Sequence, residues 1–209
     1  MRFTITLSCI DIHKGITLNK REFLAAAALG ASALPIQTYA RTTHAPGPAL
    51  LTVTGAIGKG NRAPFDPALD QMMKKQGLQF ERAHVFDFAA IAALSTISMK
   101  PTLEYDGKPH ALRGPLLVDV VRATGAALHD GSKLLLRAID GYAVLVPMAD
   151  IRKYRFIVAT HLDGKPMPLG GLGPLWAVYD ADRFPELAAK PLNERFGLCP
   201  WGLYHIEVQ

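Results

Sequence analysis

Two turns in the last third of the chain carry side chains that are able to bind a ligand. An Asp140-Gly141-Tyr142 turn lies between two apolar runs, and Trp176 follows a Gly173-Pro174 turn. A carboxylate accepts hydrogen bonds from N–H groups, and an aromatic ring stacks on a planar molecule. Each residue also has an ordinary structural role. Asp140 can form the turn itself, Tyr142 can be a surface aromatic residue, and Trp176 can belong to the core.

Other kinds of active site find little support in the sequence. The histidines show no spacing typical of metal ligands, and the alternating pair His161 and Asp163 makes a poor metal site by itself. No Gly-x-Ser-x-Gly turn and no Cys–His pair indicates a nucleophilic enzyme. The glycines Gly55, Gly58 and Gly60 could hold a phosphate, but no helix follows them directly, so a turn is the better interpretation.

The first 40 residues have the character of an export signal. Basic residues within 19–24 precede an Ala-rich apolar run over 25–34, and Thr38-Tyr39-Ala40 places a small residue before the cleavage point. The Lys20-Arg21 pair makes the segment similar to a twin-arginine signal. The alternative, an amphipathic surface helix, lacks a polar face, and the apolar run is too short to span a membrane. We predict an export signal over 1–40, a linker over 41–49, a domain over 50–209 and a periplasmic location.

Composition limits the class of protein. The chain has 209 residues, of which 49% are hydrophobic and 20% are charged, and this allows one domain with a proper core. The net charge is +5, and removal of four basic and two acidic residues with the signal leaves +3. Nucleic acid is therefore not an expected partner. Because Cys9 lies in the signal, Cys199 has no partner for an intramolecular disulfide, and we expect a small buried residue there.

Hydrophobic periodicity and turn residues predict many strands and a few short helices. The clearest helix begins after Gly114-Pro115 and ends at Gly125. The Asp140-Gly141 pair is the strongest hairpin signal. Strand and helix do not alternate strictly, which argues against a dinucleotide-binding fold and indicates the α+β class. The predicted strands cover residues 50–57, 79–86, 96–105, 133–139, 142–146, 156–161, 175–179 and 203–208, and the other helices cover 67–76, 88–94 and 184–190.

In their order and spacing, these segments resemble the sulfite-oxidase-type molybdopterin-binding domain over nearly all of residues 50–209. The resemblance implies an α+β fold with mixed β-sheets and short peripheral helices. It rests on five segments: Leu51-Thr52-Val53-Thr54-Gly55-Ala56-Ile57 for the opening strand, Gly114-Pro115-Leu116-Leu117 through Thr124-Gly125-Ala126 for a helix, Asp140-Gly141-Tyr142 for the segment that supplies an active-site tyrosine, Asp163-Gly164-Lys165-Pro166 for a turn, and Tyr204-His205-Ile206-Glu207-Val208 for the closing strand.

The sequence departs from this family where the family performs its chemistry. Family oxidoreductases bind molybdenum through a cysteine that follows the strand ending here at Tyr105. Tyr105 or a neighbour takes that place, and a phenol is not the soft thiolate that the metal requires. Residues 106–113, which would hold the phosphate of molybdopterin, form a short segment without the family's recognisable phosphate ligands.

A subset of the family resembles this chain more closely. Its members are small exported proteins without the cysteine, which bind pterins and report to a membrane diguanylate cyclase/phosphodiesterase. The resemblance implies a non-catalytic regulator whose ligand is a pterin, either a reduced pterin or a molybdopterin-like molecule, without molybdenum. Its implied partner is the periplasmic domain of a membrane signalling protein. Two alternatives stay open: a molybdopterin-dependent oxidoreductase with an atypical metal site, and a ligand-free adaptor.

The resemblance also implies a set of ligand-binding residues. Trp176 would stack on the pterin, Tyr142 would present its hydroxyl group, and Asp140 would accept the N–H groups of the pterin edge. Two residues at the place of the missing cysteine would line the same pocket, and two arginines would contact a phosphate or a carbonyl group: Glu104, Tyr105, Arg113 and Arg137.

Overall fold

The protein, described here from a computed structural model over residues 47–209, is built around a five-stranded sheet. The predicted export signal and most of the predicted linker lie outside the described residues. Strand β1 (Leu51–Gly55) lies parallel to β11 (Leu203–Val208), and the other neighbouring strands are antiparallel. In spatial order the strands are β2 (His84–Phe86), β1 (Leu51–Gly55), β11 (Leu203–Val208), β5 (Lys133–Ala138) and β6 (Ala143–Pro147).

Two smaller sheets complete the strand layers. One pairs β10 (Trp176–Val178) with β7 (Ile157–Ala159). The other has the order β3 (Thr96–Met99), β4 (Leu112–Pro115), β8 (His161–Leu162) and β9 (Lys165–Pro166), and all its pairs are antiparallel. Gly114 allows β4 to approach β7 closely, since a Cβ atom there would lie 1.9 Å from the carbonyl oxygen of Val158.

The helices are short, and in chain order each lies between two strands. They are α1 (Gln71–Lys75), α2 (Phe88–Ala92), α3 (Leu117–Ala123), α4 (Met148–Lys153) and α5 (Pro185–Ala188), with 3-10 turns at Ala181–Arg183 and Leu192–Glu194. Within residues 47–209 no helix has the length and hydropathy that a bilayer crossing requires. Mixed sheets with short helices confirm the predicted α+β class.

Local signals in the sequence account for several of these elements. Helix α3 buries Leu117, Val120 and Val121 on one face, as its apolar stripe predicts. Asp87 caps α2 by accepting a hydrogen bond from the backbone N–H of Ala90. The strand predicted over 79–86 is shorter, however, because only His84–Phe86 pairs with β1, and the strand predicted over 96–105 ends at Met99.

The faces of the large sheet differ in polarity. Buried apolar side chains of one face, among them Leu51, Val53, Leu134, Leu136 and Ile206, pack in the main hydrophobic core. Because side chains alternate along a strand, the other face carries the polar set Thr52, Thr54, Arg137, His205 and Glu207. The β5–β6 hairpin extends from this sheet and carries the first candidate residues.

Candidate ligand-binding site

A cleft of about 250 Å³ lies at the turn of the β5–β6 hairpin. Three segments form its walls: the loop between β3 and β4, the hairpin turn, and the segment that leads into β11. The lining residues are Glu104, Tyr105, Ala138, Asp140, Tyr142, Phe196, Gly197, Cys199, Pro200 and Trp201. The structure thus brings together four of the seven predicted site residues: Glu104, Tyr105, Asp140 and Tyr142.

The hairpin wall is fixed by hydrogen bonds within the turn. Gly141 adopts a φ of +96°, which favours glycine, and the backbone N–H of Tyr142 donates to Asp140 Oδ1 at 2.9 Å. Asp140 therefore forms the turn and lines the cleft at the same time. The Tyr142 hydroxyl group donates to the carbonyl oxygen of Gly197 at 2.5 Å, which ties the hairpin to the opposite segment.

The loop between β3 and β4 presents Glu104 and Tyr105. Leu103 is buried and anchors the loop, and its N–H donates to the carbonyl oxygen of Lys108 at 2.9 Å. Tyr105 is 55% exposed and stands at the rim of the cleft. Partial burial, followed by the nearby charge of Glu104, raises the pKa of Tyr105 to about 12. Its phenol therefore keeps its proton at neutral pH and is a hydrogen-bond donor as well as an acceptor.

An ion pair connects two walls of the cleft. Asp182 Oδ2 accepts a hydrogen bond from the backbone N–H of Thr102 at 2.7 Å, just before Glu104. Asp182 Oδ1 accepts from Arg195 Nη1 at 3.0 Å, just before Phe196. Arg195 also donates to two backbone carbonyl groups, those of residues 188 and 190. The Asp182–Arg195 pair therefore helps to fix the separation between the loop and the segment opposite.

The tryptophan that lines the cleft is Trp201 rather than Trp176. Trp176 is fully buried, and its indole Nε1–H donates to the carbonyl oxygen of Cys199 at 2.9 Å. Its ring packs between the rings of Tyr105 and Phe196, at centroid distances of 6.5 and 6.1 Å. The prediction that Trp176 stacks on a ligand does not agree with this placement, because the core covers the ring. Trp201 is only partly buried and lines the cleft.

Neither predicted arginine lines the cleft. Arg113 lies on β4, where its Nη2 donates to His161 Nε2 at 3.2 Å. Arg137 lies on β5 next to Ala138, but strand alternation places its side chain on the other face of the sheet, where it contacts Glu207 and His205. The structure therefore does not bring these arginines to the cleft, and their contact with a phosphate or a carbonyl group stays a prediction.

Cys199 is 5% exposed and lies at the cleft. Its burial was expected, but sequence distance from Tyr105 gave no sign that the two residues share a site. Burial raises the pKa of the thiol far above its ordinary value, and no cationic side chain lines the cleft to stabilise a thiolate. Cys199 is therefore a neutral thiol in this environment. Within residues 47–209, no three His, Cys, Asp or Glu side chains come together as a metal site.

The cleft has a distinct chemical character. Its charged side chains are two carboxylates, Glu104 and Asp140, and its lining includes no Lys, Arg or His. Aromatic rings from both walls border the same space. Such a surface accepts hydrogen bonds from N–H donors and contacts a planar ring system through dispersion and stacking.

Comparison with known proteins identifies the fold. No protein-family profile and no curated protein matches the sequence. The structure is similar to the sulfane dehydrogenase SoxCD from Paracoccus pantotrophus, with a TM-score of 0.50 and 11% sequence identity. The similarity covers 76% of this chain but 37% of the SoxCD chain, so this chain spans little more than a third of that length. At this identity the likeness shows the fold alone, and it confirms the predicted sulfite-oxidase-like α+β fold.

Proposed function

We propose that this protein is a non-catalytic pterin-binding protein of the periplasm, which regulates a membrane diguanylate cyclase/phosphodiesterase in a ligand-dependent way. The observation that supports the binding function best is the cleft in which Glu104, Tyr105, Asp140 and Tyr142 meet Trp201. The periplasmic location rests on the signal-like N-terminus. The signalling partner rests on the family resemblance.

The pterin ring system, without a metal, suits this cleft. Ligand pockets usually have volumes of roughly 300–1,000 Å³, and the 250 Å³ cleft lies just below that range, which favours a small bicyclic molecule. A pterin edge carries an amino group and a ring N–H, and a carboxylate such as Asp140 or Glu104 accepts both. Trp201 and Tyr142 offer aromatic surface for the ring system.

A molybdenum centre does not suit the same residues. The metal needs a soft thiolate donor, whereas by the family resemblance Tyr105 or a neighbour takes the place of the family's cysteine. The thiol at the cleft, Cys199, is deeply buried, and its raised pKa opposes ionisation. The donor set therefore does not favour the oxidoreductase alternative.

Ligand binding would change the surface that a partner protein contacts. Tyr105 and Tyr142 are 55% and 45% exposed and belong to the cleft. A bound heterocycle would cover part of these rings and restrict their motion. A partner that contacts this rim would then have different affinities for the loaded and empty forms, which is the condition for ligand-dependent regulation.

The binding function can be tested by anaerobic isothermal titration calorimetry of the full chain with dihydroneopterin. We expect one ligand to bind per chain. Trp201→Ala should weaken binding strongly, while Phe65→Leu, which changes an aromatic residue outside the cleft, should leave it unchanged. No heat of binding up to millimolar ligand would contradict the proposal. Stoichiometric molybdenum in protein from a host that makes molybdopterin would favour the oxidoreductase instead.

The regulatory function needs a separate test in cells. Deletion of the gene should change the cellular level of cyclic di-GMP, and the wild-type gene should restore it. Trp201→Ala, expressed at the same level, should not. An unchanged cyclic di-GMP level after deletion would contradict the regulatory part of the proposal and leave the binding part standing.

A further inference from the structure

The charged residues that line the cleft are all acidic. Glu104 and Asp140 are the charged residues among its lining, and both are acids. Within residues 47–209 neither carboxylate forms an ion pair with a Lys, Arg or His side chain. A ligand in the cleft therefore meets two negative charges in a partly enclosed space, where water screens them less than at an open surface.

Two arginines that precede lining residues in the sequence are held away from the cleft by other contacts. Arg195 precedes the lining residue Phe196, but its guanidinium group donates to Asp182 and to the backbone carbonyl groups of Ala188 and Lys190. Recruiting it to a ligand would break the pair that joins two walls of the site.

Arg137, which precedes the lining residue Ala138, is held in the same way. Its Nη1 lies 2.9 Å from Glu207 Oε2 and 3.2 Å from His205 Nδ1 on the other face of the sheet. Its side chain is only 15% exposed. Neither arginine is free to neutralise an anionic ligand.

We propose that the cleft selects a pterin without a phosphate group and rejects its phosphorylated form. This inference rests on the proposed pterin-binding function and specifies its ligand class. The carboxylates match the N–H donors of the ring edge, whereas a phosphate would be repelled by both acids and would find no basic partner. The same charge pattern excludes molybdopterin, which carries a phosphate. The chain has the fold of a molybdopterin-binding domain, but its cleft disfavours the anionic phosphate that such a domain binds.

A matched pair of ligands tests this selectivity. Dihydroneopterin and dihydroneopterin monophosphate share the ring system and differ in the phosphate group. In competition titrations with the full chain, we expect the phosphorylated ligand to bind at least about tenfold more weakly, a difference of about 1.4 kcal/mol. Raising the salt concentration should reduce the ratio, because counterions screen the repulsion.

Charge-neutral variants identify the residues responsible. Glu104→Gln and Asp140→Asn keep size and shape, and Asn can still accept the backbone hydrogen bond of the turn. Each variant should bring the two affinities closer by improving binding of the phosphorylated ligand. Glu81→Gln, an exposed acid outside this cleft, is the matched control and should leave the ratio as it is.

The outcomes separate this inference from the proposed function. If both ligands bind with equal affinity, or the phosphorylated one binds more tightly, the selectivity is refuted and pterin binding stands. A ratio unchanged in both charge-neutral variants also refutes the inference, because the carboxylates would then not cause it. If neither ligand binds, both the selectivity and the pterin-binding function are refuted.

Discussion

Two polar regions of this molecule, the cleft and the polar face of the large sheet, use similar side chains in opposite ways. On the sheet face, Arg137 bonds to Glu207 and His205, and His205 Nε2 bonds to Thr54 at 3.0 Å. Burial lowers the pKa of His205 to about 3, so its ring is neutral, accepts from Arg137 and donates to Thr54. At the cleft, acids and aromatic rings border open space without a basic partner.

This difference separates polar groups that stabilise the fold from polar groups that are available to a ligand. A buried polar group costs free energy unless it is hydrogen-bonded, so an internally paired network stabilises the fold. Polar groups that keep unused acceptors beside a cavity are available to a ligand. The sheet face and the cleft should therefore respond differently to mutation, the first in stability and the second in binding.

The largest effect on stability should come from the sheet face. Arg137→Met removes the cationic partner of Glu207 and the donor to His205. Breaking a buried ion pair costs about 3–5 kcal/mol, and because the Glu207 side chain is 33% exposed we expect a smaller loss, about 2 kcal/mol of unfolding free energy. Urea unfolding checks this, with Arg113→Met as the control on an exposed arginine. A midpoint equal to that of the wild type would contradict the structural role.

The next effect concerns the cleft alone. Trp201→Ala removes aromatic surface from the proposed site and should weaken dihydroneopterin binding by about 1–3 kcal/mol, the usual loss when a stacking aromatic residue is replaced. Calorimetric titration measures this loss. The Arg137→Met variant, studied under conditions in which it is folded, should bind dihydroneopterin with the wild-type affinity. If Arg137→Met lost affinity as strongly as Trp201→Ala, the division between the two regions would be wrong.

A smaller effect is expected at the connection between two walls of the cleft. Tyr142→Phe keeps the ring and deletes the hydrogen bond to the carbonyl oxygen of Gly197. We expect a loss of about 1 kcal/mol of unfolding free energy together with a modest fall in affinity. Urea unfolding and titration of the same variant measure both quantities. A gain in affinity would show that the hydroxyl group restricts access rather than shapes the site.

The smallest effect should depend on pH. His110 Nδ1 bonds to Asp163 at 2.7 Å and Nε2 to Asp106 at 3.0 Å, and these carboxylates raise the pKa of His110. The histidine therefore stabilises the fold fully below its unfolded pKa of about 6.5, and the contribution disappears as pH rises through the higher folded value. The same bonds lower the pKa values of Asp106 and Asp163, so the contribution is also lost in acid.

Urea midpoints across pH test this behaviour. His110→Gln should differ from the wild type most between about pH 5 and 6.5 and least at alkaline pH. His129→Gln provides the control. Above about pH 6.5, a difference that grows with rising pH would contradict the assigned sign. Because the loop that carries Asp106 also carries Glu104 and Tyr105, ligand affinity should follow the same trend weakly.

Local chemistry made several features predictable from the sequence. The Asp140-Gly141 hairpin and helix α3 depend on residues close together in the chain, and the structure contains both. Glu104 and Tyr105 were placed at the cleft from the family resemblance. The position of Arg137 could also have been predicted, because strand alternation separates it from Ala138.

The rest of the site depends on contacts distant in sequence. Trp201 and Phe196 reach the cleft because the segment before β11 crosses the end of the β5–β6 hairpin, and no short motif marks that crossing. Trp176 follows a turn, which suggested exposure, yet β10 pairs with β7 inside the core. Whether an aromatic residue near a turn contacts ligand or core is decided by tertiary packing.

The most direct measurement uses the two tryptophans as separate reporters, since Trp201 lines the cleft and Trp176 is buried beside it. Trp176→Phe leaves Trp201 as the single tryptophan, and Trp201→Phe leaves Trp176. On titration with dihydroneopterin, corrected for ligand absorbance, we predict strong saturable quenching in Trp176→Phe and weak quenching with reduced affinity in Trp201→Phe. If both variants are folded and neither shows saturable quenching, binding of the pterin at this cleft is contradicted.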